Sequence, residues 1–183
     1  MKSILNKIME FQELMKELGA LGTTLKLQAP STILLPSPTR KESKPVSLYM
    51  STISEPEIFD VSRDLFSSGF YNQAVADSFK AVEKYIRSVT GNQVVSATTL
   101  MESTFGKTPK LSWSKLETTS EKDEQQGYQR IFSGAMLGVR NPCTHEFDWV
   151  DDPYEALELI QFAQHLLRKA KNGINATRPS SAP

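Results

Sequence analysis

The sequence predicts an all-α protein, an up-and-down bundle of four to five helices with an extra N-terminal helix and a proline-rich arm. Two observations support this fold class. Apolar residues recur every three or four positions in successive blocks that are joined mostly by short connections. No segment alternates apolar and polar residues between turn signals, as a half-buried strand would. An antiparallel helical bundle is therefore expected.

Two segments precede the predicted bundle. Residues 1–21 contain an amphipathic helix, from 3 to 18, that Gly19 ends. Residues 22–54 contain four prolines among Ser, Thr and Lys, a composition that sustains neither a helix nor a strand ladder. This segment is predicted to be a linker or an arm over the surface, and its apolar patch, 33–35, is suited to dock on the domain or on a second protomer.

The bundle itself is predicted to span residues 55–174. Its first helix follows Pro56 and ends near Gly69, and its second runs from about 71 to 90 and ends at Gly91. The second helix has the narrow apolar seam of a helix packed lengthwise in a bundle. The seam residues are Val75, Phe79, Val82, Ile86 and Val89.

Three further helical blocks follow. A short one covers about 97–105, and another apolar face runs from Tyr128 to Val139 after a polar stretch, 120–127. Asp151, Asp152 and Pro153 form a strong start for the last helix, which ends near Gly173. The serine-rich residues 175–183 are predicted to be a disordered tail.

Composition limits the possible functions. Lys+Arg and Asp+Glu both number 21 in 183 residues, so no global field recruits nucleic acid, and a polyanion must be held by a local patch. Cys143 is the only cysteine, which excludes an intramolecular disulfide and a thiolate-rich metal site. No apolar run approaches the roughly 20 residues of a membrane span, and no signal peptide is evident. We expect a soluble cytoplasmic protein with no membrane partner.

Arg140 and His145 are the most suggestive pair, a permanent cation close to a side chain that can exchange protons near neutral pH. On a regular helix, five residues turn about 500°, which leaves the two side chains about 140° apart. Pro142 disfavours helical geometry at Asn141, so we expect the helix to kink or stop and both side chains to face one cleft. Otherwise the pair is an exposed arginine and a capping or core histidine.

The segment Gly-Val-Arg-Asn-Pro-Cys-Thr-His-Glu at 138–146 resembles the Arg-x4-6-His signature of the HEPN superfamily, in which a polar residue such as Asn141 usually follows the arginine. The wider chain resembles the Ymh-type HEPN domain in the order and spacing of its blocks, over about residues 55–170. The matching blocks are 65–66, 69–75, 80–82, 90–91, 100–101, 105 and 127–145.

The resemblance implies a helical bundle that commonly dimerises. Catalytic members of the superfamily are metal-independent endoribonucleases, often in toxin–antitoxin, abortive-infection or other defence systems. It further implies that His145 transfers protons, Arg140 binds phosphate and Asn141 positions or polarises, with two copies of the motif meeting across a homodimer. RNA and an antitoxin or defence-system protein are the implied partners, and no cofactor or metal is implied.

The chemistry is consistent with these roles. The RNA 2′-hydroxyl is an internal nucleophile, so a base that removes its proton and a cation that stabilises the phosphorane suffice for cleavage. The products would be a 2′,3′-cyclic phosphate and a 5′-hydroxyl, and DNA would be inert. The alternative is a catalytically inactive HEPN interaction or nucleotide-sensing module. A helical scaffold without a ligand is a third reading, and it would tolerate substitution throughout 138–146.

Other candidate residues have simpler interpretations. Cys143 is more plausible as a small apolar filler than as a nucleophile, and His165 as a structural residue of the last helix. Asp151 and Asp152 are expected to cap that helix, while Glu146 and Asp148 form a solvated loop rather than a metal cluster. The cations near the C-terminus are better explained by interaction with the helix dipole and by solubility than by steering of RNA. These cations are Arg168, Lys169, Lys171 and Arg178.

Overall fold

The computed structural model describes residues 44–92 and 95–175, together with Glu13 and Lys16, which are both helical. The chain divides into two units, Met1–Lys41 and Glu42–Pro183. The rest of the predicted N-terminal helix, the apolar patch at 33–35 and the predicted tail beyond 175 lie outside the described residues. Among the residues that are described, no helix has the length and apolar composition needed to cross a bilayer.

The all-α prediction is confirmed for the second unit. Its helices are α1 (Lys44–Thr52), α2 (Pro56–Ser67), α3 (Tyr71–Thr90), α4 (Ala97–Phe105), α5 (Thr119–Ala135), α6 (Asn141–His145) and α7 (Pro153–Lys171). A π-helical turn, Met136–Arg140, joins α5 to α6. One short antiparallel pair, β1 (Leu111–Ser112) with β2 (Ile174–Asn175), ties the loop after α4 to the segment after α7.

Helix α3 is central to the bundle, and it packs against α2, α4, α6, α7 and the π turn, while α4 packs against α5. The core between these helices consists of apolar side chains that are removed from water. Stacked rings lie at its α4–α5 end, where the Phe105 ring centroid is 4.4 Å from that of Phe132 and 5.1 Å from that of Trp113. The largest fully buried side chains include Tyr49, Phe66, Phe79, Phe105, Phe132 and Ile160.

The predicted boundaries of α2, α3 and α4 agree with the structure. Glycine explains why two of these helices end where they do. Gly69 and Gly91 have φ of 86° and 66°, in the left-handed region where a side chain is strained. The turn at Gly69 reverses the chain and brings the start of α3 beside α2.

Helix α1 differs from the sequence prediction, which placed residues 44–54 in the proline-rich arm and began the bundle at 55. Tyr49 is fully buried, its ring centroid lies 4.8 Å from that of Phe66, and its hydroxyl is 2.7 Å from the Ser62 hydroxyl. Pro45 lies in the first turn of α1, where a missing N–H costs nothing. The bundle therefore includes the last part of the predicted arm.

Helix α5 also begins earlier than its apolar face suggested. Thr118 accepts a hydrogen bond from the Glu121 backbone N–H at 3.2 Å, and Glu121 accepts one from the Thr118 N–H at 2.9 Å. This reciprocal capping box starts a helix without apolar residues. The polar stretch 120–127 is thus the first half of α5.

Candidate functional site

Pro142 does not end the helix that contains the Arg140 and His145 pair. The prediction that Asn141 leaves helical geometry is wrong, since its φ of −66° and ψ of −50° are right-handed helical. The Asn141 N–H bonds to the Met136 carbonyl, five residues back, which is the wider π spacing. Such a turn directly before the proline gives its ring room against the preceding carbonyls. Helix α6 then continues to His145.

Arg140 is the last residue of the π turn, and its side chain is held against α3. Its Nη2 lies 3.3 Å from Glu83 Oε2, and its Nη1 donates a 3.1 Å hydrogen bond to Asn141 Oδ1. Glu83 Oε1 also accepts from Arg87, at 3.0 Å from Nε and 2.7 Å from Nη2. One carboxylate therefore lies between two guanidinium groups, and Arg140 Nε is buried without a hydrogen-bond partner in the described part of the chain.

Arg140 lines an open depression on the surface of α3, which we call the α3 groove. Its walls are predominantly basic. The side chains that line it are Lys80, Glu83, Lys84, Arg87, Ser88 and Arg140.

His145 lies in a different depression. It is the last residue of α6 and is exposed, and no described residue hydrogen-bonds to its imidazole. The depression, of about 570 Å³, is formed by the α2–α3 turn and by the segment from 143 to 151, and we call it the His145 cleft. Its walls combine aromatic and acidic side chains: Phe70, Phe147, Glu146, Asp148 and Asp151.

Asn72 fixes the backbone on both sides of His145. Its side-chain amide donates hydrogen bonds to the carbonyl oxygens of Cys143, at 3.0 Å, and Glu146, at 2.8 Å. These carbonyls are near the C-terminus of α6, where helical carbonyls have no partner within the helix. Asn72, in the first turn of α3, thus holds the C-terminal end of α6 in place, and we call this contact the Asn72 clamp.

The structure brings Arg140 and Asn141 together but does not bring His145 to them. In the described chain, Arg140 lines the α3 groove and His145 lines the His145 cleft, so a single copy does not place guanidinium and imidazole in one depression. The expectation of one shared cleft within a chain is not met. The catalytic roles of Arg140, Asn141 and His145 remain predictions.

Sequence reasoning missed Asn72, Glu83 and Arg87. For Glu83 and Arg87 a signal existed, because a glutamate four residues before an arginine on a helix forms an ion pair. For Asn72 the signal was weak, since it lay inside the matching block 69–75 with no assigned role. Its partners are more than 70 residues away in the chain.

Residues 53–170 match the family model Hypoth_Ymh, whose description is a protein of unknown function. The chain belongs to the Hypoth_Ymh family. No curated protein and no solved structure matches the chain. The Hypoth_Ymh match runs from before α2 to the penultimate residue of α7, and it includes Asn72, Glu83 and the whole Arg140 to His145 segment.

Cys143 in the Hypoth_Ymh domain is a buried filler. Its side chain is 2% exposed and packs in the core, and burial raises the pKa of its thiol to about 11. Because the thiolate is the nucleophilic form, such a cysteine is inert near neutral pH. The structure favours the apolar interpretation over the nucleophile.

The acidic residues after His145 are not arranged as a metal site within the described residues. Asp152 Oδ2 accepts hydrogen bonds from the N–H groups of Tyr154 and Glu155, at 2.9 and 2.8 Å, so it caps α7 as predicted. Asp151 makes no such bond and instead lines the His145 cleft. Within the described ranges, no group of three or more His, Cys, Asp or Glu side chains is placed to hold a metal ion.

The remaining candidates pair within the bundle. His165 Nε2 is 3.0 Å from the Tyr128 hydroxyl, which agrees with a structural role. Arg168 and Lys171 both contact Glu55, at 2.7 Å each, and Lys169 contacts Glu124. These pairs join the end of α7 to neighbouring segments of the Hypoth_Ymh domain, while Arg178 lies outside the described residues.

Proposed function

We propose that this Hypoth_Ymh protein is a HEPN-type endoribonuclease that cleaves RNA through attack of the 2′-hydroxyl on the adjacent phosphate. The main supporting observation is the setting of His145. Its imidazole is exposed and bonded to no described residue, while the backbone around it is fixed by Asn72. A base that is accessible and held in place is what proton transfer from a 2′-hydroxyl requires.

Arg140 supplies the phosphate-binding group in this proposal. Glu83 is shared between Arg140 and Arg87, so the three side chains together retain one positive charge. A planar guanidinium can contact two phosphate oxygens at once. Asn141 orients that guanidinium, because its side-chain oxygen accepts the hydrogen bond from Nη1.

The proposed active site includes two chains. Because Arg140 and His145 line separate depressions in one copy, the proposal places Arg140 of one protomer beside His145 of the other. Leu137, in the π turn three residues before Arg140, is 62% exposed and would be covered by such an interface. In a two-fold dimer, the two copies would form two equivalent sites.

A toxin or phage-defence setting, with an antitoxin or defence-system partner, is part of the proposal and is supported by the HEPN resemblance. The proposed mechanism also predicts the products, a 2′,3′-cyclic phosphate and a 5′-hydroxyl. Such a mechanism takes its nucleophile from the RNA itself. A matching oligonucleotide with 2′-deoxyribose at the scissile position would therefore resist cleavage.

The test is incubation of the purified protein with total RNA in the presence of a chelator. Cleavage is expected for the unchanged chain and a loss of at least about 100-fold for His145→Ala, the usual scale of acid–base catalysis. Arg140→Ala should lose cleavage similarly, and phosphatase and kinase treatment of the products identifies their ends. Undiminished cleavage by His145→Ala would remove this residue from the mechanism.

The second candidate is a catalytically inactive HEPN module that binds a partner or a nucleotide. The observation that favours it is the same separation of Arg140 from His145, together with the Arg140–Glu83 pair. It predicts that the protein leaves RNA intact and binds nucleotide through Arg140. Titration calorimetry with nucleoside mono- and triphosphates, with Arg140→Ala as the comparison, distinguishes this function from cleavage.

A further inference from the structure

We propose that the α3 groove binds the phosphate backbone of an RNA strand, through Lys80, Lys84 and Arg87 in addition to Arg140. The inference rests on the proposed function and extends it. It assigns an RNA-binding surface to one face of α3, outside the Arg140 to His145 motif.

The geometry of α3 places these cations in a row. Lys80, Lys84 and Arg87 are spaced by four and three residues, so they lie on one helical face. At 1.5 Å per residue, the row extends about 10 Å along the helix axis. Arg140 joins it from the π turn, which packs against α3.

The groove has an excess of positive charge after its ion pairs are counted. Lys80 pairs with Asp77 at 2.9 Å, and Arg87 and Arg140 share Glu83. Lys84 is exposed and forms no ion pair with any described residue. Within the groove and its ion pairs, four cations therefore face two carboxylates, which leaves two positive charges. Lys80 and Lys84 also border a neighbouring depression lined by Glu57 and Asp60, of which Glu57 pairs with Lys171.

The opposite charge prevails in the His145 cleft. Three carboxylates, Glu146, Asp148 and Asp151, line it, and no lysine or arginine does. An anionic strand is consequently attracted to α3 and repelled from the walls beside His145. The groove would hold the strand while the cleft presents only the imidazole to it.

The arrangement suits a polymer better than a single small anion. The cations are distributed along the helix axis instead of converging on one point, and the groove is open to solvent along its length. Lysines contact phosphates as point charges without reading base sequence. The expected binding is thus dominated by the phosphate backbone and falls as salt rises.

The experiment measures binding of a fluorescent 2′-O-methyl RNA oligonucleotide to the full chain over a series of salt concentrations. This probe has no free 2′-hydroxyl, so the proposed cleavage cannot affect it. The test protein is Lys80→Gln/Lys84→Gln. Its matched control is Lys110→Gln/Lys115→Gln, which removes two exposed lysines elsewhere.

We expect the test variant to bind more weakly. The negative slope of log K against log salt should become less steep by about 1.4, at about 0.7 for each lost single-strand phosphate contact. The control should keep both the affinity and the slope. Circular dichroism melts verify folding. Lys84→Gln alone, at an exposed position, should make the slope less steep by about half as much.

Equal affinity and slope in the test and control variants would overturn the inference, as would a failure of the unchanged chain to bind the probe. Light scattering would show whether the test variant instead loses its dimer while RNA binding stays unchanged. That result would also overturn the inference, and it would indicate that the α3 groove contacts the acidic His145 cleft of a second copy. RNA binding through these lysines with no cleavage of natural RNA would support the groove and refute only the proposed endoribonuclease.

Discussion

The side-chain amide of Asn72 donates a 2.8 Å hydrogen bond to the backbone carbonyl of Glu146, the residue directly after His145. The same amide bonds to the Cys143 carbonyl, two residues before the histidine. The position of the imidazole therefore depends on the first turn of α3. A residue that touches no substrate thereby determines where the proposed base is located.

Replacing Asn72 by Ala should destabilise the protein and reduce RNA cleavage. Two hydrogen bonds are lost, each worth about 0.5 to 1.5 kcal/mol, so a decrease of about 1 to 3 kcal/mol in the free energy of unfolding is expected. Urea denaturation measures it. Gln126→Ala, at an exposed position of α5, is the control, and equal stability and activity of the two variants would contradict a clamp.

Gln164 connects α7 to the chain between α1 and α2. It is 5% exposed, its Oε1 accepts from the N–H groups of Ser54 and Glu55 at 2.7 and 3.0 Å, and its Nε2 donates to the Thr52 carbonyl at 3.0 Å. Gln164→Leu should lower the free energy of unfolding by about 2 to 3 kcal/mol, because three backbone groups lose their partner. Gln126→Leu, at an exposed site, should change it by less than about 0.5 kcal/mol. Chemical denaturation of both variants provides the comparison.

Glu55 should make the stability depend on pH. Hydrogen bonds from Lys171 and then Arg168 lower the pKa of its carboxyl below the ordinary 4.5. A group whose pKa is lowered by folding stabilises the protein above its unfolded pKa and loses this contribution as the pH falls through the folded value. Glu55→Gln should thus cost about 1 kcal/mol at pH 7. The cost should shrink below pH 4.5, and a melting-temperature difference that is constant from pH 7 to pH 3 would argue against it.

Cys143 should not react with thiol reagents in the folded protein. Burial leaves 2% of its side chain exposed and raises the pKa of the thiol to about 11, so both access and thiolate are lacking at pH 8. Labelling with a maleimide should proceed only at the rate of unfolding and become complete in urea. Rapid labelling of the native protein at pH 8 would show that α6 opens readily.

Mixing two inactive variants tests whether the proposed site is shared between chains. Arg140→Ala and His145→Ala subunits, unfolded together and refolded in equal amounts, should recover about a quarter of the activity, since half the dimers are mixed and each has one intact site. Either variant refolded alone remains inactive. If the mixture is as inactive as its parts, Arg140 and His145 act within one chain or not at all.

The elements that were predictable are those whose signal is local. The apolar seam of α3 lies between a turn glycine and Gly91, and both ends of that helix follow from it. Helix α1 was not apparent because it contains Pro45 and follows a proline-rich stretch, while its one buried side chain, Tyr49, is stabilised by contacts with α2. The local rule for Pro142 failed since the preceding π turn accommodates the ring.

The candidate site was predictable only in part for the same reason. Arg140 and His145 are recognisable in the sequence because a permanent cation lies close to a side chain that can exchange protons near neutral pH. The clamp from Asn72 and the ion pair with Glu83 join residues that are 57 or more positions apart, and no periodicity reports such contacts. The division of the pair between two depressions likewise depends on packing against α3.

The π turn has one residue more than a regular helical turn would need, and this has a geometric consequence for everything after it. One residue of an α-helix corresponds to about 100° of rotation. An uninterrupted α-helix through Met136–Arg140 would therefore direct His145 to another side of α6, away from the α2–α3 turn. The direction of the imidazole is therefore set by one extra residue in the π turn, so a one-residue insertion or deletion there would redirect His145 even if every side chain of the motif were kept.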